Sequence, residues 1–204
     1  LTNYITKLGY NVSGENDPLL DKYWPCDVHL IGKDILRFHT IIWPILLMAL
    51  DLPLPKQIFA HPWILMNNDK MSKSKGNLIY ADELCEIFGV DAVRYYVLHE
   101  IPFAQDGNLT YELVGERTNT DLANTLGNLV NRTIAMVKKY FNGTVKYHGA
   151  LNHFDVELEE LSLNTYKKVK ENVAAFKITD ATEDIMKLLR RANKYVDENE
   201  PWIL

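Results

Sequence analysis

The apolar positions change their spacing several times along the chain, and the changes mark out elements. Leu1 to Leu8 carries apolar residues at helical intervals and is stopped by Gly9, which predicts a short helix. Asn11 to Pro18 is polar and reads as a turn region. Asp27-Val28-His29-Leu30-Ile31 is a short run broken by Gly32, the pattern of a buried strand. From Lys33 to Leu50 the spacing becomes helical. Ile35, Phe38 and Ile42, continued by Ile45 and Leu46, predict one apolar face, with a local kink at Pro44. Pro53 and Pro55 frame a turn, and Gln57-Ile58-Phe59-Ala60 predicts a second strand. Strand, helix, strand is the order of a parallel α/β sheet, whose ligands sit near the carboxyl ends of its strands.

After Pro62 the pattern turns helical. Asp82 to Phe88 predicts a helix closed by Gly89, and Asp91 to His99 predicts another. Asp91 is its candidate cap, and Ala92, Tyr95, Tyr96 and Val97 supply apolar surface. Asp106 and Gly107 mark a boundary. Leu122, Leu126, Leu129, Val130, Ile134, Val137 and Tyr140 then keep a 3.6-residue repeat, closed by Asn142-Gly143. A poorly patterned segment runs through His153. Tyr166, Val169, Val173 and Phe176 mark a second long helix. Ile185, Leu188, Leu189, Ala192 and Val196 mark a third, opened by Thr179 or Asp180. The expected architecture is an α/β part over residues 1–62, a connecting region over 63–107 and an antiparallel all-α helix bundle over 108–204.

Composition narrows the class. The 204 residues are 47% hydrophobic, enough for a substantial core. A net charge of -5 excludes a uniformly basic nucleic-acid coat, though not a local basic face. Cys26 and Cys85 are too few and too far apart for a disulfide scaffold or a paired-cysteine metal knuckle, which fits a reducing cytoplasm. The longest apolar run, Ile41 to Leu50, contains Pro44 and is too short to span a bilayer. Leu1-Thr2-Asn3-Tyr4 has no basic flank and no initiator Met, so the chain reads as starting inside a longer protein.

The densest chemistry lies in Asp69-Lys70-Met71-Ser72-Lys73-Ser74-Lys75-Gly76-Asn77. Lysines can track several phosphate oxygens, serine hydroxyls add directional hydrogen bonds, and Gly76 permits a sharp turn. A solvated charged turn has the same composition. The spaced glycines of a P-loop are absent. A second concentration sits where the first strand meets its helix. Asp34 either faces a ligand or caps the helix, and His39, five residues on, either rims the same cavity or is a satisfied buried histidine.

Lys70-Met71-Ser72-Lys73-Ser74 matches the signature loop of class I aminoacyl-tRNA synthetases at every position. Leu1-Thr2-Asn3-Tyr4-Ile5 and Gly32-Lys33-Asp34-Ile35-Leu36-Arg37-Phe38-His39, followed by Trp43-Pro44, resemble the methionyl-tRNA synthetase pattern. Phe88 to Tyr96 resembles that family's connector. Leu122-Ala123-Asn124, Gly127-Asn128-Leu129, Asn131-Arg132, Asn193-Lys194-Tyr195 and Pro201-Trp202 resemble its anticodon-contacting helices. The resemblance covers essentially the whole chain and implies a class I nucleotide-binding, Rossmann-like remnant followed by an anticodon-binding bundle.

The implied activity is ATP-dependent activation of methionine and its transfer to the methionine tRNA, in the cytoplasm and without a membrane. The resemblance assigns Asp34 to the substrate ammonium, with Tyr4, His39 and Ile35 lining the methionine pocket. It assigns Lys70 and Lys73 to charge on the leaving pyrophosphate, and Ser72 and Ser74 with them to ATP. Mg²⁺ accompanies ATP, and no metal ligands are expected within the chain. Asn128, Arg132 and Trp202 would contact the anticodon by hydrogen bonding and stacking. Lys75 stands where many relatives have an apolar residue, and Cys26 where they commonly have alanine. The family's upstream His-Ile-Gly-His-type motif and metal knuckle do not appear, so the chain reads as the carboxyl half of a synthetase that needs its N-terminal half. Two other readings compete: a non-catalytic RNA-binding module when isolated, and a class I synthetase for an aliphatic amino acid.

Overall fold

The computed structural model describes residues 1–103, 105–146, 149 and 151–203. Part of the poorly patterned stretch before His153 lies outside the described residues, as does the final Leu204. The chain is mostly helical with small sheets, and it divides into two compact units, Leu1–Trp63 and Ile64–Leu204.

In the first unit, α1 (Asn3–Lys7) is followed by α2 (Pro18–Tyr23), a helix that starts at the last residue of the region read as a turn. Asp17 caps α2 by accepting the Leu19 N–H at 2.8 Å, and Pro18 pre-sets its first turn. Strand β1 (Val28–Gly32) pairs in parallel with β2 (Gln57–His61), Val28 opposite Gln57 and Gly32 opposite His61. Between them runs one helix in three registers. It is 3₁₀ over Lys33–Ile35, π over Phe38–Ile42 and α over Trp43–Ala49, the last termed α3. Pro44 sits where the π segment gives way to α3.

That change of register corrects the expected face. Ile35, Phe38, Ile42, Ile45 and Leu46 are exposed, whereas His39, Trp43 and Leu47 are buried. The buried residues recur every four positions. A π-helical turn takes in more residues than an α turn, so a four-residue spacing stays on one side of this helix. Trp43 and Leu47 are fully enclosed with Ile5, Leu20 and Trp24, and Trp24 Nε1 donates to the Pro53 carbonyl at 2.9 Å. His29, on the inward side of β1 with Ile31, accepts the Trp43 Nε1–H at 3.1 Å.

The second unit opens with β3 (Ile64–Met66) and β4 (Asp69–Lys70), an antiparallel hairpin, and β5 (Gly107–Asn108) adds in parallel to the other edge of β3. The Asp106–Gly107 junction therefore lies inside this unit. Helices α4 (Ala81–Phe88) and α5 (Val90–Glu100) follow. Gly89, not Asp91, occupies the cap position of α5, and Asp91 lies in its first turn. Leu84, Val93, Tyr96, Leu109 and Val114 form the core here. A long helix then starts at Tyr111, eleven residues before the first apolar position of the expected repeat. It comprises α6 (Tyr111–Arg117), a π-helical stretch Thr118–Gly127 and α7 (Asn128–Phe141). Asn142, in the left-handed region at φ 51°, ends it as expected.

Helix α8 (His153–Ala174) begins well before the residues that mark it in the sequence. Asn152 and Asp155 cap it reciprocally. Because the helix starts so early, its inward stripe is fixed by Phe154, Leu158, Leu161 and Thr165. It continues through Val169 to Phe176 and leaves Tyr166 and Val173 exposed. Helix α9 (Ile178–Asn199) packs along α8 and buries Ala181 and Met186, while Ile185 faces solvent.

A charge network anchored on the buried Asp121 and His99 ties these helices. Asp121, 3% exposed, accepts from Tyr95 Oη at 2.7 Å and from Arg117 Nη1 at 3.3 Å. Arg117 Nε lies 3.0 Å from Glu100, which His99 Nδ1 contacts at 2.7 Å. Arg190 of α9 reaches Glu183, which lies 3.6 Å from the other nitrogen of His99.

Two predictions come from these interiors. Tyr95→Phe removes one hydrogen bond to a buried carboxylate and is expected to cost about 1.5–3 kcal/mol. Urea unfolding followed by circular dichroism measures it, and an unchanged midpoint would refute the bond's contribution. In the first unit, burial, with His39 nearby as the lesser cause, lowers the His29 pKa. Below about pH 6.5 the unfolded chain takes up a proton that the folded chain resists, so stability falls as pH falls. His29→Gln, which keeps an acceptor for Trp43, is expected to flatten that fall between about pH 7 and pH 5. Unfolding curves at stepped pH check this, and an unaltered slope excludes His29 as its source.

Candidate functional site

The lysine loop grows out of the β3–β4 hairpin. Asn67 and Asn68, at φ 51° and 64°, make the two-residue turn that returns Asp69 and Lys70 alongside Leu65 and Met66. Met71 then packs against the core of the second unit. Ser72 caps a 3₁₀ turn over Lys73–Lys75, its hydroxyl accepting the Lys75 N–H at 3.3 Å and lying 3.3 Å from the Ser74 hydroxyl. Gly76 closes the turn at φ 64°. Nothing lies within 4 Å of where its Cβ would be, so glycine supplies the backbone angle here rather than room.

The Asn77 carboxamide accepts the Ser72 N–H at 2.9 Å and donates to the Lys70 carbonyl at 3.3 Å. Lys75 Nζ lies 3.3 Å from Asp69, an exposed pair. Lys73 is exposed and forms no ion pair with a described residue. Lys70 at the end of β4 and Ser72, Lys73 and Ser74 in the turn that follows thus fall in one short segment, a grouping suited to an anion with several oxygens.

In the first unit, Tyr4 and His39 meet directly. His39 Nδ1 lies 3.0 Å from the Ile35 carbonyl, which only accepts, so in the neutral ring Nδ1 carries the hydrogen. Nε2 is left to accept the Tyr4 hydroxyl at 2.9 Å. The Tyr4 ring also lies 4.6 Å from His29 and 5.9 Å from Trp43, centroid to centroid. Asn3, Tyr4, Lys7, Leu8, Trp24 and His29 line a shallow cleft of about 320 Å³. Asp34 and Ile35 are exposed in the 3₁₀ turn. Asp34 does not cap the helix. A Cβ at Gly32 would collide with the Asp34 carboxylate, so that glycine keeps the space the carboxylate occupies.

Asn128 and Arg132 lie one turn apart on α7. Asn128 is exposed, and Arg132 pairs with Asp197 near the end of α9. Asp197 is five residues before Trp202, which is 42% exposed. Asn193, also from α9, donates to the Thr125 carbonyl of the π-helical stretch at 3.0 Å.

Three side chains with roles in this geometry escape the sequence reading: His29, Trp43 and Asn77. Strict alternation along β1 would have set His29 with Ile31 opposite the exposed Leu30. Asn77 had no signal of its own, because its bonds depend on the fold of the loop.

The family model described as tRNA synthetases class I (M) matches residues 1–134. The chain is 57% identical to a methionine–tRNA ligase of Clostridium perfringens over 204 residues and 53% identical to one of Oceanobacillus iheyensis over 205. Both alignments cover all of this chain but 31% and 30% of the relative, so the chain spans about three tenths of their length. The solved Mycobacterium tuberculosis methionyl-tRNA synthetase bound by methionyl-adenylate superposes with a TM-score of 0.88 at 42% identity. That match covers 99% of this chain and 39% of the other. With family model, sequence and backbone in agreement, the chain belongs to the methionyl branch of the class I tRNA synthetases.

Proposed function

We propose that this chain is part of a methionine–tRNA ligase, which activates methionine with ATP and transfers it to its tRNA. The observation that carries the reading is the lysine loop, a cationic, hydroxyl-bearing turn held at its base by Asn77 and Met71. In the first step a methionine carboxylate oxygen attacks the α-phosphorus of ATP, the bond to the bridging oxygen breaks, and pyrophosphate leaves. Lys73 and Lys70 stabilise the charge growing on that pyrophosphate, and Ser72 and Ser74 donate to phosphate oxygens. ATP arrives as its Mg²⁺ complex. Among the described residues no group of three or more His, Cys, Asp or Glu is arranged to hold a metal of its own. In the second step a terminal ribose hydroxyl of the tRNA attacks the acyl carbon and AMP leaves.

Asp34 pairs with the methionine ammonium, and Ile35, Tyr4 and His39 surround its side chain. The Tyr4 hydroxyl and His39 Nδ1 both spend their protons inside the protein, so they offer the thioether ring surfaces rather than donors. Residues 1–62 serve as part of a Rossmann-like catalytic domain whose other strands come from the N-terminal half, and 63–107 as loop and connector. Residues 108–204 serve as an anticodon-binding bundle. There Asn128 and Arg132 read base edges and Trp202 stacks, the exposed Arg132–Asp197 pair being cheap to open. The working place is the cytoplasm, where translation occurs; no helix among the described residues is long and apolar enough to cross a membrane.

Two measurements on the full-length protein test this. Lys73→Ala is expected to slow adenylate formation about 10²–10³-fold while methionine affinity holds. An unchanged pre-steady-state rate would reject the role. Trp202→Ala is expected to weaken binding of a methionine-anticodon hairpin by about 1–3 kcal/mol, with the helical circular-dichroism signal intact. Equal binding of matched and scrambled hairpins by the unsubstituted protein would sink the anticodon assignment.

A further inference from the structure

We infer that Asn77 is the positioning residue of the lysine loop, its carboxamide bridging the loop's two ends so that Lys70 and Lys73 are presented together. The inference rests on the reading above, that this loop acts on ATP.

Ser72 is extended, at φ -153° and ψ 147°. In extended backbone, the carbonyl of one residue and the N–H two residues later point to the same side. Lys70 O and Ser72 N are such a pair, flanking Met71. In a longer sheet a neighbouring strand would take both. Strand β4, however, ends at Lys70, where its pairing with Leu65 is the last rung. The Asn77 side chain supplies what the missing strand would, an acceptor 2.9 Å from Ser72 N and a donor 3.3 Å from Lys70 O. A carboxamide is the side-chain group that offers both at peptide-like spacing.

The loop between its two packed ends is open to solvent. Met71 before it and Ile79 after it pack into the core of the unit. Between them Lys73, Ser74, Lys75 and Gly76 are exposed, and none of the residues 72–77 is buried. Beyond its own backbone bonds, Lys75 N–H to Ser72 O and Gly76 N–H to Lys73 O, the turn is tied by the Ser72 hydroxyl and by the two bonds of Asn77. Three lysines in six residues also repel one another, with the exposed Lys75–Asp69 pair as a partial offset. Gly76, left-handed at φ 64°, turns the chain back so that Asn77 arrives beside Met71. Asn77 touches no reacting atom in this scheme; it acts through the lysines.

The test uses the full-length protein with Asn77→Ala, which loses both bonds, and Asn77→Asp, which keeps the acceptor and loses the donor. Lys73→Ala serves as reference. Trypsin cleavage at the loop lysines under native conditions reads the population of the opened loop. Single-turnover adenylate formation reads the consequence. Asn77→Ala is expected to speed loop cleavage about tenfold and to slow adenylate formation by a similar factor, with methionine affinity and the unfolding midpoint unchanged. Asn77→Asp is expected to fall between Ala and the unsubstituted protein in the cleavage assay. If Lys73→Ala slows activation but both Asn77 variants match the unsubstituted protein in cleavage or in rate, the positioning role is overturned and the loop's role on ATP stands. If Lys73→Ala itself activates methionine normally, the reading of the loop fails and the inference falls with it.

Discussion

A carboxylate withdrawn from water as far as Asp121 persists only where other groups take up its lone pairs. Tyr95 from α5 and Arg117 from α6 do so, and each is thereby held to the π-helical stretch that carries Asp121. Burial, and after it the bond to Asp121, push the Tyr95 phenol well above its ordinary pKa, so it remains a donor throughout the physiological range. Arg117 passes the constraint to Glu100, and His99 and Glu183 extend it to α9. The same helix α5 contributes Val93 and Tyr96 to the cluster that receives Met71 and Ile79. The helix fixed by the buried charges is thus the floor on which the lysine loop stands.

The first unit buries two imidazoles instead. His29 accepts from Trp43, and His39 is bonded to the Tyr4 hydroxyl and the Ile35 carbonyl. The Tyr4 ring lies 4.6 Å from His29 and 5.8 Å from His39, and Trp24 lies 6.0 Å from His29 and 5.8 Å from Trp43, centroid to centroid. Such a cluster offers polarizable surface without free charge, and the carboxylate of Asp34 stands apart from it in an exposed turn. The proposed methionine pocket would use both, the carboxylate for the ammonium and the rings for the uncharged side chain.

Much of this was legible in the residues. Both parallel strands, the helix closed by Gly89, the stop at Asn142-Gly143 and the lysine loop follow from local pattern and turn chemistry. The inward faces of the helices were less legible. Apolar residues outnumber inward positions on the helix from Lys33 to Ala49. There the stripe of Ile35, Phe38 and Ile42 looked like a core, but backbone register chose His39, Trp43 and Leu47. On α8 the face was decided by residues upstream of those that drew attention. Asp121, Asn77 and His29 are polar residues whose partners meet them only once the chain has folded, and no periodicity announces them. Arg132 was legible as a surface residue with chemistry to offer, but its pairing with Asp197, sixty-five residues away, was not.

The π-helical stretch Thr118–Gly127 also bears on how this segment tolerates changes of length. Within it, Thr125 Oγ1 reaches back five residues to the Thr120 carbonyl, and a Cβ on Gly127 would meet the Leu122 carbonyl, again five back, at 3.1 Å. The wider turns accommodate more residues than an α-helix of the same rise. Loss of one residue there would let the backbone relax into ordinary α-helical bonding with no break in the helix. The tighter α turns would restore the rotation that the lost residue had contributed, so the side chains beyond would keep their facing, Arg132 still directed at Asp197. The same loss within an ordinary α turn would instead swing every later side chain by about 100° around the axis. The π-helical stretch is thus the part of this long helix where a residue can be lost with the alignment of α7 on α9 kept.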